Sequence, residues 1–298
     1  MSRDICLIIC THNKISILRK TISLILEYRW LDFGLMVVDN ASSDGTREYC
    51  QSLDISSNFG INFEFVMEPR LGLSRARNTA AERADSKWLV YLDDDCFPCE
   101  SFLGAYKELV KLVPDVVVAG GPILVRWPES GRPSWLPREF EWVYGKIEHE
   151  NCNGICKLGR SYGVNGGNFL VQRMMLHQAG GFQEHLGHIG MNSGGNEEHF
   201  LIDRLRKSYP EKAFWVSDAV VIHHFPLDRL TLNYACQRSK AAGLDRAKAD
   251  WLAKKYLLFF LRTTYYLFRC CLQRDGVRRF HYIGYLSIFS RVWRNTSV

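Results

Sequence analysis

Five short apolar runs, residues 6–10, 35–38, 63–66, 88–92 and 116–119, alternate along this chain with segments of a different period. In residues 15–28, Ile15, Leu18, Ile22, Ile25 and Leu26 fall on one face of a helix, and residues 74–85 and 101–112 behave similarly. Strand and helix in alternation predict an α/β fold: a mainly parallel sheet with helices on both faces. Ligands of such sheets collect at the carboxyl ends of the strands. The polar punctuation falls there, at Thr11-His12-Asn13 after the first run, Asp39-Asn40-Ala41-Ser42-Ser43-Asp44-Gly45 after the second and Asp93-Asp94-Asp95 after the fourth.

Residues 126–162 carry Pro128, Pro133 and Pro137 with Trp127, Trp135, Phe140 and Trp142 and little periodicity, which reads as an excursion over the site. Residues 164–171 and 213–222 are predicted as strands completing the sheet, and residues 197–208 as a helix with Phe200, Leu201 and Leu205 inward. The expected division is one domain over residues 1–246, with a nucleotide-binding half (1–119) and an acceptor half (120–246), followed by a helical extension over 247–298.

That extension is rich in aromatic and basic residues, among them Trp251, Tyr256, Phe259, Phe260, Tyr265, Tyr266 and Trp293 beside Lys254, Lys255, Arg262, Arg269, Arg278 and Arg279. Arg262 and Arg269 spoil any stretch of about 20 uncharged residues of the kind a spanning helix needs. Two readings stand: a helix pair lying in the headgroup region of an anionic bilayer, or one packed on the catalytic domain or on a second subunit of a homodimer.

Composition narrows the class. At 298 residues and 47% hydrophobic the chain can bury a sizeable core, and its net charge of +6 does not demand a nucleic-acid partner. Met1-Ser2-Arg3-Asp4 runs straight into an apolar strand, so a cytoplasmic protein is expected, its ten cysteines read as reduced thiols. Cys96 and Cys99 with Cys152 and Cys156 form two close pairs, for which a tetrahedral zinc site is the competing reading.

Asp93, Asp94 and Asp95 carry the chemistry. Adjacent carboxylates raise one another's pKa unless a cation neutralises them, and hard oxygen ligands suit Mg²⁺ or Mn²⁺ shared with phosphate oxygens. A solvated acidic turn is the bland alternative.

In their order along the chain, Ile8-Ile9-Cys10-Thr11-His12-Asn13, Val37-Val38-Asp39-Asn40-Ala41-Ser42-Ser43-Asp44-Gly45-Thr46, Gly72-Leu73-Ser74-Arg75-Ala76-Arg77-Asn78 and Leu92-Asp93-Asp94-Asp95 resemble the motifs of the inverting family 2 glycosyltransferases, which hold a nucleotide-sugar in a GT-A fold. The resemblance implies that Asp39 accepts a hydrogen bond from the imide of uracil or thymine. Thr11 and Asn13, with Asn40 and Ser42 of the second motif, would line the nucleotide. Arg77 and Asn78 would face the diphosphate, Asp93 chiefly the nucleotide and Asp95 the metal, with Asp94 ambiguous.

Gly180-Gly181-Phe182 and Gly194-Gly195-Asn196-Glu197-Glu198-His199 resemble the family's acceptor motifs. They imply Glu198 as the general base that deprotonates the acceptor hydroxyl, with Glu197 as runner-up. Two acids that merely satisfy a helix dipole are the alternative. The resemblance further implies His223 as a metal or diphosphate ligand and Gly167 as part of a turn approaching the donor sugar. Trp127, Trp135 and Trp142 are candidates for stacking on sugar rings.

After the late strand, Cys236-Gln237-Arg238-Ser239-Lys240 departs from the Gln-x-x-Arg-Trp of processive synthases, which points to transfer of one sugar. The expectation is therefore a metal-dependent transferase using a UDP- or dTDP-sugar and a saccharide or lipid-linked acceptor, peripheral on the inner face of the membrane. A catalytically silent GT-A-like nucleotide-binding or scaffold protein is the rival.

Overall fold

The computed structural model describes residues 4–149, 151–159, 163–184, 197–252, 261–262, 265–266 and 276–295. Its strands are β1 (Ile5–Thr11), β2 (Gly34–Asp39), β3 (Asn62–Met67), β4 (Trp88–Asp93), β5 (Cys96–Pro98), β6 (Val118–Gly120), β7 (Ile123–Val125), β8 (Ile155–Lys157), β9 (Asn168–Gln172), β10 (Ala213–Val216) and β11 (Val221–His223). Eight form one sheet in the order β3-β2-β1-β4-β9-β6-β10-β8, and β5-β11-β7 form a second. β1 pairs in parallel with β2 and β4, and β2 with β3; β9 runs antiparallel to β4 and β6.

The helices are α1 (Ile15–Glu27), α2 (Thr46–Gln51), α3 (Ile55–Phe59), α4 (Leu73–Arg83), α5 (Phe102–Leu112), α6 (Arg173–Gln178), α7 (Glu197–Ser208), α8 (Leu232–Leu252) and α9 (Gly276–Asn295). β1, β2 and all but the last residue of β4 are buried, because helices cover both faces of the sheet. Alternating side chains divide the core into two layers. Leu7, Ile9, Val37, Val90 and Leu92 pack with Leu18 and Ile22 of α1 and with Phe102 and Tyr106 of α5. On the other face Ile8, Met36, Val38 and Tyr91 pack with Ala76 and Ala80 of α4 and with Leu201, Ile202 and Leu205 of α7. At the sheet edge β3 leaves Asn62, Glu64 and Met67 exposed.

Three expectations change. Residues 213–222 split into β10, in the large sheet, and β11, in the small one, because the chain turns at Ser217 and Asp218. The strand expected from residue 164 starts at Asn168, after a turn at Gly166 and Gly167. On α7 the buried residues are Glu198, Leu201, Ile202 and Leu205, a spacing of three and four, so Phe200 falls off that face and is 40% exposed.

By compactness the chain divides into one unit of Met1–Arg126 with Ile147–His224 and another of Trp127–Lys146 with Phe225–Val298. The boundary expected at residue 246 falls inside α8. Within the second unit α8 and α9 pack closely: a Cβ on Gly243 would stand 2.0 Å from the backbone oxygen of His281. Ser239 donates to the carbonyl of Val277 at 3.0 Å, and Tyr266 stacks on Tyr282. Trp127 and Trp142, expected to stack on sugar rings, pack instead on neighbours in this unit, Trp127 against Tyr144 and Phe225 and Trp142 against Phe140 and His281. Among the described residues no helix is long and apolar enough to cross a membrane. Residues 253–260 and 267–275, which carry much of the aromatic and basic character read from sequence, lie outside the described part.

Candidate active site

Register alone brings the acidic and polar motifs together. Along the parallel ladder Thr11 stands opposite Asp39 and Cys10 opposite Asp93, while Leu92 faces Asn168 across the antiparallel pair. The carboxyl ends of β1, β2 and β4 therefore form one polar rim.

In the loop after β1, Asn13 takes a left-handed conformation with φ 51°. Its N–H donates to Ser42 Oγ at 2.9 Å, and its Oδ1 accepts from the N–H of Ser43 at 2.7 Å. Asp39 is buried and its Oδ1 accepts from the N–H of Ser42 at 3.1 Å. Asp44 receives the N–H of Ile15 at 2.8 Å and both donors of Thr46, and these hydrogen bonds outweigh burial to hold its carboxyl below the ordinary range. Asn40, expected at the nucleotide, spends its whole amide on backbone: Nδ2 donates to the carbonyls of Glu68 and Arg70, and Oδ1 accepts from Gly72. It ties the end of β2 to the start of α4.

The three aspartates point three ways because Asp93 ends β4 while Asp94 and Asp95 form the turn that leads into β5. Asp93, on the α4 side, accepts from Arg77 Nη2 at 3.1 Å. Asp94, on the α1 side, is buried; it accepts from Thr11 Oγ1 and from Lys14 Nζ, both at 2.8 Å. Thr21 of α1 donates to its carbonyl at 2.6 Å. Burial pushes the Asp94 carboxyl up to about 7, with Lys14 pulling against it. Asp94 is thus an internal anchor, and Thr11, expected against the ribose, gives its hydroxyl to it.

Asp95 reaches the small sheet. Pairing of β11 with β5 sets His223 opposite Cys96, His224 N–H donates to the Asp95 carbonyl at 2.7 Å, and His223 Nε2 stands 3.7 Å from Asp95 Oδ1. Burial opposes ionisation of Asp95, but Lys14 and His223 outweigh it and lower its pKa.

Ligand atoms of Asp93, Asp95 and Cys96 lie within 4.8 Å of one another. Burial holds the Cys96 thiol far above its ordinary pKa, so it stays protonated and ligates poorly. The two carboxylates with the nearby imidazole make a donor set that fits Mg²⁺ or Mn²⁺.

Arg77 and Asn78, expected at the diphosphate, both start from the first turns of α4. Arg77 is buried, its Nη2 donates to Asp93 and to the Gly166 carbonyl at 3.1 Å each, and its Nη1 lies 3.9 Å from Glu198 Oε2. Asn78 turns away from the rim: Nδ2 donates to the Phe182 carbonyl at 2.9 Å and Oδ1 accepts the Phe182 N–H at 2.8 Å. It pins the Gly180-Gly181-Phe182 turn, where both glycines have φ of 70° or more.

Gly166 and Gly167 make room for side chains of this same site. A Cβ on Gly166 would sit 2.4 Å from Arg77 Nη2, and one on Gly167 would sit 3.0 Å from Cys96 Sγ and 3.1 Å from Asp93 Oδ2.

Glu198 is buried on the inward face of α7. Burial raises its pKa, yet His199 and Arg77 prevail and leave it below the ordinary carboxylate range, hence anionic at neutral pH. Glu197 opens the same helix, and its side chain lies outside the described part.

Cys152 and Cys156 are joined in a disulfide, so the reading of ten reduced thiols does not hold, and this pair has no thiolates to offer zinc.

Sequence reading gave Lys14 no role and took Asn168 only as the end of the Gly166-Gly167-Asn168 turn. Lys14 sits at the N-cap of α1, where the helix dipole disfavours a cation, and that misfit was the available signal. Asn168 is buried where β9 begins; it accepts from Tyr106 Oη at 2.7 Å and donates to the carbonyls of Pro122 and Ala219.

The family model described as glycosyl transferase family 2 matches residues 6–161, more than half of the chain. The chain belongs to glycosyl transferase family 2. Glycosyltransferase AglE of Haloferax volcanii is 27% identical to this family member over 182 residues, 60% of this chain and 56% of AglE. Glycosyltransferase GlyA of Streptococcus pneumoniae is 24% identical over 115 residues, 38% of this chain and 16% of GlyA. The chain thus spans about half the length of the first and a small part of the second.

Among solved structures, the mannosyltransferase PcManGT from Pyrobaculum calidifontis, in complex with GDP-Man and Mn²⁺, superposes with a TM-score of 0.56 at 19% identity, covering 84% of this chain and 64% of that one. S. aureus TarS 1–349 superposes with a TM-score of 0.54 at 14% identity, covering 80% and 64%. These neighbours establish the GT-A fold.

Proposed function

We propose that this family member is a metal-dependent, inverting glycosyltransferase that moves one sugar from a UDP- or dTDP-sugar to a hydroxyl of a saccharide or lipid-linked saccharide. The carrying observation is the line Asp93–Arg77–Glu198, in which one buried guanidinium links a carboxylate of the acidic rim to the candidate base. Further support comes from the neighbours, since PcManGT was solved with GDP-Man and Mn²⁺ and TarS with UDP-GlcNAc.

Asp93 and Asp95, with His223, would hold Mn²⁺ or Mg²⁺. When bound, the cation screens the diphosphate and stabilises charge on the departing nucleoside diphosphate. Asp39, oriented by the Ser42 N–H, accepts from the imide of the base. Asn13 and Ser42 shape the loop beside it.

Glu198, kept anionic by His199 and Arg77, takes the proton of the acceptor hydroxyl as that oxygen bonds the anomeric carbon. The bond from that carbon to the diphosphate oxygen breaks on the opposite face, its electron pair leaving with the nucleoside diphosphate, and the configuration inverts. Glu197 is the alternative base. The aromatic and basic residues of 247–298 would rest on an anionic bilayer at the cytoplasmic face, where a lipid-linked acceptor lies.

The test is release of nucleoside diphosphate from a panel of UDP-, dTDP- and GDP-sugars with Mn²⁺, with product stereochemistry read by NMR. Calorimetry that finds no metal-dependent binding of any of these nucleotides would instead favour the silent scaffold.

A further inference from the structure

Lys14 lies between two of the three rim aspartates: its ammonium donates to Asp94 Oδ1 and to Asp95 Oδ2 at 2.8 Å each. The backbone anchors it, since the Lys14 carbonyl accepts the N–H groups of Ile17 and Leu18 in the first turn of α1. Its side chain remains 43% exposed, whereas Asp94 is 6% exposed and Asp95 18%. The ammonium therefore enters from the open side of the rim and can leave toward it.

The two oxygens of Asp95 face different ways. Oδ2 is held by Lys14, and Oδ1 faces His223 Nε2 at 3.7 Å. A divalent cation bound through Asp93, Asp95 and His223 would share one carboxylate with a resident monocation, and the two repel across it. An arriving diphosphate offers the ammonium a partner of greater charge. Once Lys14 has moved onto phosphate, Asp95 belongs to the cation alone.

We propose that Lys14 is a positioning residue that acts as an internal counter-ion, competing with the divalent cation for Asp95 and passing to the diphosphate of the incoming donor. It makes the cation bind weakly before the nucleotide and tightly with it, and linkage makes that coupling reciprocal. The inference rests on the metal assignment made above.

Three variants, Lys14→Met, Lys14→Met combined with Asp94→Asn, and Asp95→Asn, separate the two ideas. Mn²⁺ binding is followed by electron paramagnetic resonance on the full chain without nucleotide, and pyrophosphate binding by calorimetry without metal. Removing the ammonium should tighten Mn²⁺ about three- to fivefold and weaken pyrophosphate about three- to fivefold, each the order expected for one charge contact at a partly exposed site. The double variant removes the buried carboxylate that would otherwise lose its counter-ion, and keeps the test valid where Lys14→Met alone does not fold.

A side chain of purely structural use would weaken both ligands or neither, and either pattern overturns the proposal. So does tighter Mn²⁺ with pyrophosphate unchanged. Undiminished Mn²⁺ binding by Asp95→Asn would instead overturn the metal assignment itself.

Discussion

Arg77 Nη1 stands 3.9 Å from Glu198 Oε2, and both side chains are almost closed to solvent, at 3% and 9% exposure. A buried carboxylate this close to a buried guanidinium is ionised at neutral pH, as a base must be before it can accept a proton. The same guanidinium holds Asp93, so on the proposed mechanism the donor and acceptor sides of the site share one cation.

Replacing Glu198 by Gln keeps the shape of the side chain and removes its basicity. Transfer should fall about 10²–10⁴-fold, the range typical of a lost general base, while nucleotide affinity is unchanged by calorimetry. Near-normal turnover would move the role to Glu197.

The pH profile follows from the same pair. With the Glu198 pKa below the ordinary carboxylate value of 4.5, transfer should hold on the acid side until the pH drops through that lowered pKa. Arg77→Gln removes one of the two charges that oppose burial and leaves His199 as the other, so the acid limb of the rate profile should move to higher pH. A limb that stays in place would mean that Arg77 does not govern the base.

At Gly166 even one methyl group is excluded, since a Cβ there would meet Arg77 Nη2 at 2.4 Å. Gly166→Ala should cost about 1–3 kcal/mol, the usual range for overpacking, and thermal melting would register it. Transfer should fall as well, because Arg77 can yield only by leaving Asp93 or Glu198.

Glu68 ties the end of β3 to α4, accepting from the Arg70 guanidinium and backbone N–H and from Thr79 Oγ1 at 2.7 Å. These hydrogen bonds, Arg70 first, hold its carboxyl down at about 2 against an ordinary 4.5. A depressed folded pKa contributes stability above the unfolded value, lost as the pH falls through the folded one. Glu68→Gln should therefore destabilise the protein at pH 7 by about 1 kcal/mol, a figure kept small because Arg70 is largely exposed. The gap to the parent should close between pH 4.5 and 2 in denaturant titrations. An unchanged gap at pH 2 would rule out this origin.

Period and punctuation determined much of this protein without coordinates. Buried strands read as unbroken apolar runs because helices cover both faces, and helices such as α1 declare their inner face by spacing; both are local properties of the chain. Three of the four motifs fall at strand ends for the same reason, and the third opens α4, so Asp39 and Asp93 were legible as rim residues.

Tertiary structure decided what each side chain touches. Nothing local says that Asn78 will clasp Phe182, that Arg77 will leave the rim's edge to join Asp93 to Glu198, or that Thr11 and Lys14 will both be drawn to Asp94. The partners lie up to 121 residues apart and meet only through sheet order and packing. The split of residues 213–222 between two sheets was hidden likewise, because an apolar run records that it is buried and not which neighbour buries it.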